Sequence, residues 1–234
     1  TMTDDTAALR EKYRCLAAAL SKEYGYPEWR PHLPPVDELV STILSQNTSD
    51  ANRDAAFEAL RERFPTWEAV RDAPVEEVID AIRPAGLSNQ KGPRIQAALR
   101  YLTETQGRIT LDHLNDMTVE EAKAWLTAIN GIGPKTAAII LLFAMGRPAF
   151  PVDTHVHRVT KRLGLIDQRM TAERAHDALE EIVPQADYYP FHLQVIRHGR
   201  QVCHARSPQC EICVLQDDCA YFHDLPSNRV RIGD

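Results

Sequence analysis

Apolar residues recur along this chain at the spacing of α-helices. Residues 6–24 carry such a stripe, and residues 36–46 carry a second one with Val36, Leu39, Val40, Ile43 and Leu44 on one face. The same spacing predicts further helices over 153–163, 171–183 and 187–202. No strict alternation of apolar and polar positions marks a strand. The pattern therefore predicts an all-α chain.

Local signals place several helix ends. Thr118 and Glu121 form the sequence of a capping box, which predicts a helix from there through Ile129. Asp50 is expected to cap a helix that runs to about Phe64. Pro134 suits the first turn of another helix, because its missing N–H costs nothing there.

Length and composition indicate the number of domains and the class of protein. The chain has 234 residues, 44% hydrophobic and 26% charged, which is enough for one large or two modest globular domains. No apolar run reaches the roughly 20 residues that cross a bilayer. The first residues are polar and acidic, unlike a secretory signal. We expect a cytoplasmic monomer without a membrane partner.

Charge is distributed unevenly. The formal net charge is -6, which by itself argues weakly against a nucleic-acid partner. However, residues 83–108 hold five bases against one acid, and residues 130–170 hold six bases against two acids. An acidic chain with such segments can still present a basic face to a polyanion.

Four of the five cysteines fall close together, with the spacing C-x6-C-x2-C-x5-C: Cys203, Cys210, Cys213 and Cys219. Such density without a secretory signal indicates metal or cluster ligation rather than disulfides. Four thiolates suit either zinc or an iron–sulfur cluster, and the single C-x2-C pair favours the cluster. Cys15 stands alone and is expected to be a small buried side chain.

The stretch INGIGPKTAAI, residues 129–139, sets a lone lysine at the start of an apolar helix. Gly131 and Gly133 suit a tight link between two helices and a close approach to a ligand, and a helix start attracts anions. Lys135 is then a phosphate clamp, a nucleophile or a solvated charge. Asp153 precedes another helix, so it is a helix cap or a catalytic carboxylate.

These motifs together resemble the endonuclease III family of helix-hairpin-helix (HhH-GPD) DNA glycosylases. The resemblance rests on G-I-G-P-K-T-A-A, V-D-T-H-V-H-R and the cysteine spacing, in this order. L-S-Q-N-T-S-D, G-L-S-N-Q-K and R-H-G-R-Q-V-C extend it from about Val36 to Phe222.

The resemblance implies two helical domains that flank a DNA-binding cleft. One is a six-helix barrel containing the helix-hairpin-helix, residues 37–147. The other combines residues 1–36 and 148–234 and holds a [4Fe-4S] cluster on the four cysteines. The implied partner is double-stranded DNA with a damaged base or an abasic site.

The resemblance also implies a mechanism. Lys135 would attack the sugar C1′ of an oxidised pyrimidine nucleotide, hold the sugar as a Schiff base and nick the strand by β-elimination, with Asp153 as the supporting carboxylate. That chemistry needs a neutral amine. The helix start and the apolar neighbours Ile139 and Ile140 favour the neutral form, whereas Asp153 favours the charged form.

Because a target base inside a duplex is unreachable, the nucleotide must be flipped out and the gap filled. By resemblance the fillers come from Leu87 and from residues 44–50. The family often has glutamine where this chain has Asn47, with Gln46 one residue earlier, so either side chain could fill the gap. The predicted DNA-binding residues are Gln46, Asn47, Leu87, Gly131, Gly133, His155 and Arg206.

Two other functions stay open from the sequence. One is a monofunctional mismatch glycosylase of the same superfamily, specific for adenine or thymine. The other is a non-catalytic DNA-binding or redox-sensing module. Lys135 together with Asp153 favours the bifunctional glycosylase and lyase over both.

Overall fold

The computed structural model describes residues 2–225, and their side chains from residue 5 onward. Within this stretch the regular structure is entirely helical, which confirms the predicted all-α class. The α-helices are α1 (Met2–Tyr24), α2 (Pro35–Ser45), α3 (Asp50–Arg63), α4 (Trp67–Asp72), α5 (Val75–Ala81), α6 (Ser88–Gln106), α7 (Val119–Thr127), α8 (Pro134–Ile139), α9 (Thr154–Leu163), α10 (Ala172–Ile182), α11 (Tyr188–Gln201) and α12 (Ala220–His223).

Shorter helical turns join these helices. α8 continues directly into a π-helical segment, Ile140–Ala144, whose first four side chains are buried. The 3-10 turns are Arg83–Ala85, Asp112–Asp116, Gln185–Asp187, Cys210–Ile212 and Gln216–Asp218. None of the helices in the described part of the chain has both the length and the apolarity needed to cross a membrane.

The chain divides into two compact units. One comprises Arg30–Arg147, and the other combines the residues up to Trp29 with those from Pro148 onward. The predicted first boundary lies between residues 36 and 37. Residues 1 and 226–234 of the predicted cluster domain lie outside the described residues.

In the unit Arg30–Arg147, α2 is the central helix. It contacts α3, α6, α8 and the π-helical segment, because four of its apolar side chains have no exposed surface: Leu39, Val40, Ile43 and Leu44. Burying each such side chain contributes about 1.5–3 kcal/mol. The helix is held from three sides, so its C-terminal end at Ser45 is a fixed point from which the following loop starts.

In the other unit, α9 packs on α10, α11 and α12, and α1 packs on α10 and α11. Two tyrosine hydroxyls secure the start of α11: Tyr13 donates to Asp187 Oδ2 at 2.8 Å, and Tyr26 donates to Oδ1 at 2.7 Å. Cys15 is exposed, not buried as predicted. Its neighbour Leu16 takes the inward position on α1.

Most predicted helix ends agree with the structure. Thr118 and Glu121 make both hydrogen bonds of a capping box, although α7 ends at Thr127, two residues early. Asp50 is not the cap of α3. Ser49 takes that role, because its side chain accepts from the Asn52 amide and Asp50 is already the first helical residue.

Candidate active site and cysteine cluster

The link between α7 and α8 is a tight hairpin. Gly131 has φ +86°, a conformation that favours glycine, whereas Gly133 has φ −96° and does not require it. Gly133 instead leaves open space, since nothing lies within 4 Å of where a Cβ would stand. Ile129, before the hairpin, and Ile132, between its two exposed glycines, are both buried and anchor it. The exposed backbone can therefore approach a ligand closely.

Lys135 is exposed at the second position of α8. The residues behind it, Thr136, Ala137 and Ala138, are buried, as is Ile140. The apolar run thus packs into the core of its unit, and the helix presents a single amine at its solvent end. This arrangement explains how one lysine occurs at the start of so apolar a segment.

Asp153 is the N-cap of α9. Its Oδ1 accepts a hydrogen bond from the Val156 amide at 2.7 Å, which is the helix-cap role considered from the sequence. The contact uses one carboxylate oxygen and fixes the orientation of the other. Asp153 can therefore cap α9 with one carboxylate oxygen and still offer the other for catalysis.

His155 lies in the first turn of α9 and is half-buried. Its Nδ1 is 3.2 Å from the Arg158 guanidinium, and burial lowers the pKa of His155. Its ring packs against Gly199, where a Cβ would stand 3.1 Å from Nδ1. Arg206 is exposed in the loop between Cys203 and Cys210. Of these two predicted DNA-binding residues, only Arg206 extends fully into solvent.

The two predicted gap-filling segments both contain residues with left-handed backbone. Asn47 has φ +53° and is exposed, whereas Gln46 is half-buried. Leu87 has φ +50° at the N-cap of α6, and the residue is 48% exposed. An apolar side chain held out in this way can enter a base stack.

All four cysteines line one cavity, so the structure brings the predicted ligands together. Burial raises the pKa of Cys213 to about 11 and also raises the pKa values of Cys210 and Cys219. These thiols hold their protons until a cation replaces them, as metal ligands do.

The geometry of the cysteines bears on which centre they suit. Among the described residues, no three side chains of Cys, His, Asp or Glu converge on the position of a single metal ion. Four thiolates on one zinc would be only about 3.8 Å apart, given the 2.3 Å Zn–S bond. Thiolates that each bind a separate iron of a cluster stand farther apart than that.

Comparison with known proteins agrees with this geometry. The model of the HhH-GPD superfamily of base excision DNA repair proteins matches residues 40–185, and the iron–sulfur binding domain of endonuclease III matches residues 203–219. Endonuclease III of Thermotoga maritima is 33% identical over 206 residues, which cover 88% of this chain and 92% of the relative. This chain belongs to the HhH-GPD superfamily. Its iron–sulfur segment is of the endonuclease III type.

Other relatives support the same membership. Endonuclease III of Sulfolobus acidocaldarius is 34% identical over 192 residues, covering 81% of this chain and 83% of that one. A solved non-covalent complex of endonuclease III with DNA superposes with a TM-score of 0.77 at 28% identity, covering 95% of this chain and 98% of the other. A thermostable thymine-DNA glycosylase, at 21% identity and a TM-score of 0.77, shares the fold.

Membership of the HhH-GPD superfamily confirms the predicted enzyme class, a DNA glycosylase and AP lyase of base excision repair. It also confirms the iron–sulfur cofactor, because the matched segment 203–219 begins and ends on the first and last predicted ligands. The roles of individual residues remain predictions.

Sequence reasoning missed two arginines that hold the cluster loop of this HhH-GPD chain. Arg158 donates to the carbonyl oxygens of Gly199 and Cys203, at 3.0 Å each. Arg162 donates to Cys203 Sγ at 3.3 Å and to the His204 carbonyl at 2.6 Å. Their spacing was a usable sequence signal, because two arginines four positions apart on α9 lie on the same face of the helix.

His198 is a further missed residue. Its Nε2 lies 3.5 Å from Cys213 Sγ, and its Nδ1 is 2.9 Å from the Tyr24 hydroxyl. Burial lowers the pKa of His198 to about 4, so the ring is neutral at neutral pH. A neutral histidine of this kind orients a cysteine ligand through a hydrogen bond.

Proposed function

We propose that this chain removes oxidised pyrimidines from double-stranded DNA and nicks the abasic site with the same active site. The observation that carries the proposal is the exposed Lys135 amine directly after a tight hairpin whose backbone is open at Gly133. A hairpin that grips a DNA phosphate through its backbone would present that amine to the sugar. The DNA complex of the relative at 28% identity supports duplex DNA as the partner.

The proposed reaction begins on a nucleotide that has been flipped out of the helix. The lone pair of Lys135 attacks C1′, and the bond from C1′ to the base breaks with its electron pair leaving on the base. The Asp153 carboxylate stabilises the positive charge that develops on the sugar and accepts the proton released by the amine. The nitrogen lone pair then forms a C1′=N bond, and the C1′–O4′ bond breaks with its electron pair on O4′, which takes the proton back from the Asp153 carboxyl. The product is a ring-opened sugar held as a protonated Schiff base on Lys135.

The second half of the reaction nicks the strand. The iminium acidifies the C2′ proton, and its removal expels the 3′ phosphate from C3′ with the C–O electron pair. Water then releases the unsaturated aldehyde from Lys135. The lysine thus serves as nucleophile and electron sink, while the hairpin and the helix start hold the phosphate backbone.

In this proposal the cluster holds structure rather than taking part in the bond changes. Cys203, Cys210, Cys213 and Cys219 would each supply one thiolate, and the bound cluster would cross-link a segment with few apolar residues of its own. The loop that it secures presents Arg206 to the DNA backbone. We place the protein with the chromosomal DNA, acting as a monomer.

Borohydride trapping on a duplex with a single abasic site tests the lysine. The native chain is expected to give a covalent adduct, and Lys135→Ala and Lys135→Arg are expected to give none. The arginine variant keeps the charge but cannot form the Schiff base, and Lys123→Ala on α7 is the matched control. An adduct with Lys135→Arg would refute the assignment.

Lesion duplexes separate the remaining functions. Release of thymine glycol without strand nicking would indicate a monofunctional enzyme, and binding without any release would indicate a non-catalytic module. The proposed function predicts release and nicking together, both of them lost in Lys135→Ala.

A further inference from the structure

The first turns of α6 lie near the proposed DNA-contacting segments. Lys91 and Arg94 stand three positions apart, so their side chains project from the same side of the helix, and Leu87 is the N-cap that precedes them. Leu87 is exposed, and Lys91 is buried against the ends of neighbouring segments. Arg94 reaches the hairpin and the loop after α2.

Arg94 lies directly over the hairpin glycine. A Cβ on Gly131 would stand only 2.4 Å from Arg94 Cδ, so no other residue fits beneath the arginine without displacing it. The close approach of Arg94 is a second reason, besides the positive φ, why this position requires glycine. The half-buried arginine is therefore held in one place above the hairpin backbone.

Gln46 completes the contact. Arg94 Nη1 donates to Gln46 Oε1 at 2.6 Å, the short distance of a charge-assisted hydrogen bond. The Gln46 amide Nε2 in turn donates to the Gly131 carbonyl at 3.3 Å. Three segments that are distant in sequence are thereby joined: the loop after α2, α6 and the hairpin.

These contacts separate the roles of Gln46 and Asn47. The Gln46 amide uses its oxygen on Arg94 and an N–H on Gly131, so its side chain is committed within the protein. Asn47 follows with left-handed backbone and an exposed side chain. Asparagine adopts that conformation more readily than most residues.

We propose that Gln46 and Arg94 form a positioning clasp that fixes the loop of Asn47 to the hairpin, so that Asn47 occupies the gap left by the flipped nucleotide. The inference rests on the proposed function, because it assumes a flipped nucleotide. With the hairpin bound to the phosphate backbone, the clasp determines how far the Asn47 side chain extends into the DNA duplex.

A duplex with a tetrahydrofuran abasic analogue opposite 2-aminopurine tests the clasp. The analogue cannot be cleaved or trapped, so the result does not depend on the lysine chemistry. Binding of the native chain is expected to change the fluorescence of 2-aminopurine as its stacking changes. Asn47→Gly, which keeps the left-handed backbone without strain, is expected to bind but lose that response.

The clasp variants are Gln46→Met and Arg94→Met. Each is expected to weaken binding by about five- to tenfold and to reduce the fluorescence response, and the double variant is expected to be no weaker than either single one. Arg100→Met, on the same helix, removes the same charge and is expected to lose only about two- to threefold. Gln46→Met changes no charge, so any loss of affinity in this variant reports the clasp alone.

Three results would overturn the clasp. One is a Gln46→Met variant that matches the native chain in affinity and fluorescence. Another is strictly additive loss in the double variant. The third is loss of the response in Gln46→Met while Arg94→Met behaves like Arg100→Met, because Gln46 would then fill the gap itself. Circular dichroism of each variant checks that the fold is intact.

Discussion

Lys91 is a buried cation whose removal should measurably destabilise the unit Arg30–Arg147. It is 1% exposed, and its Nζ donates to the Leu44 carbonyl at 2.7 Å and to the Ala85 carbonyl at 2.8 Å. The first carbonyl belongs to the last turn of α2, and the second lies just before Leu87, the proposed wedge. Lys91→Met keeps the aliphatic stem and removes both donors.

The expected cost follows from these two hydrogen bonds. A bond from a charged donor contributes about 1.5–3 kcal/mol, so losing two costs roughly 3–6 kcal/mol. Methionine avoids the desolvation of an ammonium group, which offsets part of that cost. We therefore expect a net loss of about 2–4 kcal/mol and a fall in melting temperature of about 5–15 °C.

The same substitution has a pH signature. Burial, followed by the Arg94 charge, lowers the pKa of Lys91 from its ordinary value of 10.5. Between the lowered pKa and 10.5 the unfolded chain keeps a proton that the folded chain has released, so stability rises with pH. The native chain is therefore expected to exceed Lys91→Met in free energy of unfolding by an amount that increases as pH rises toward 10.5 and decreases as pH falls.

Thermal unfolding followed by circular dichroism measures both effects. Lys22→Met is the control, because Lys22 is an exposed lysine on α1 and its loss should cost less than about 1 kcal/mol. A Lys91→Met melting temperature equal to that of Lys22→Met would refute the role of these hydrogen bonds. A stability difference that shrinks toward pH 10.5 would refute the lowered pKa of Lys91.

Three further predictions concern the hairpin, the cap and the cluster loop. Gly131→Ala should lose about 1–2 kcal/mol in thermal unfolding through its positive φ alone, and more because it displaces Arg94. Asp153→Asn should leave stability within about 0.5 kcal/mol, because asparagine also caps, yet slow strand nicking at least about 100-fold in single-turnover assays. Arg162→Met should speed the loss of the visible cluster absorbance under a chelator by about two- to tenfold, because Cys203 loses a charged donor. Unchanged melting of Gly131→Ala, unchanged nicking by Asp153→Asn or unchanged bleaching of Arg162→Met would contradict the respective prediction.

Much of this architecture could be predicted because its signals are local. The capping box of Thr118 and Glu121 and the cap at Asp153 each involve residues three apart, and both are present in the structure. Ser49 and Asp50 could each have started α3, and the choice between them depends on which backbone is already helical. That choice is not encoded in residue type, so the sequence prediction erred by one position.

Long-range contacts escaped the sequence for a physical reason. A lysine is normally assigned to the surface, yet Lys91 is buried because two carbonyls, one of them 47 residues away, satisfy its ammonium group. The functions of Gln46 and Arg94 likewise depend on a hairpin that only folding brings to them. Spacing in the sequence cannot reveal such pairs.

Burial distinguishes three cations in the unit Arg30–Arg147 and accounts for their different roles. Lys91 is fully buried, so its charge must be satisfied by fixed carbonyls and its contribution is to stability. Arg94 is half-buried, so it is held in place by Gln46 yet lies near the surface that we propose contacts DNA. Lys135 is exposed on a short helix whose apolar residues are buried behind it. An amine with this exposure is free to reach a substrate and form a bond, whereas the buried lysine could do so only by breaking its contacts with the end of α2 and with the turn Arg83–Ala85. The nucleophile is therefore expected at Lys135 and not at Lys91, although both lysines follow a glycine-containing motif.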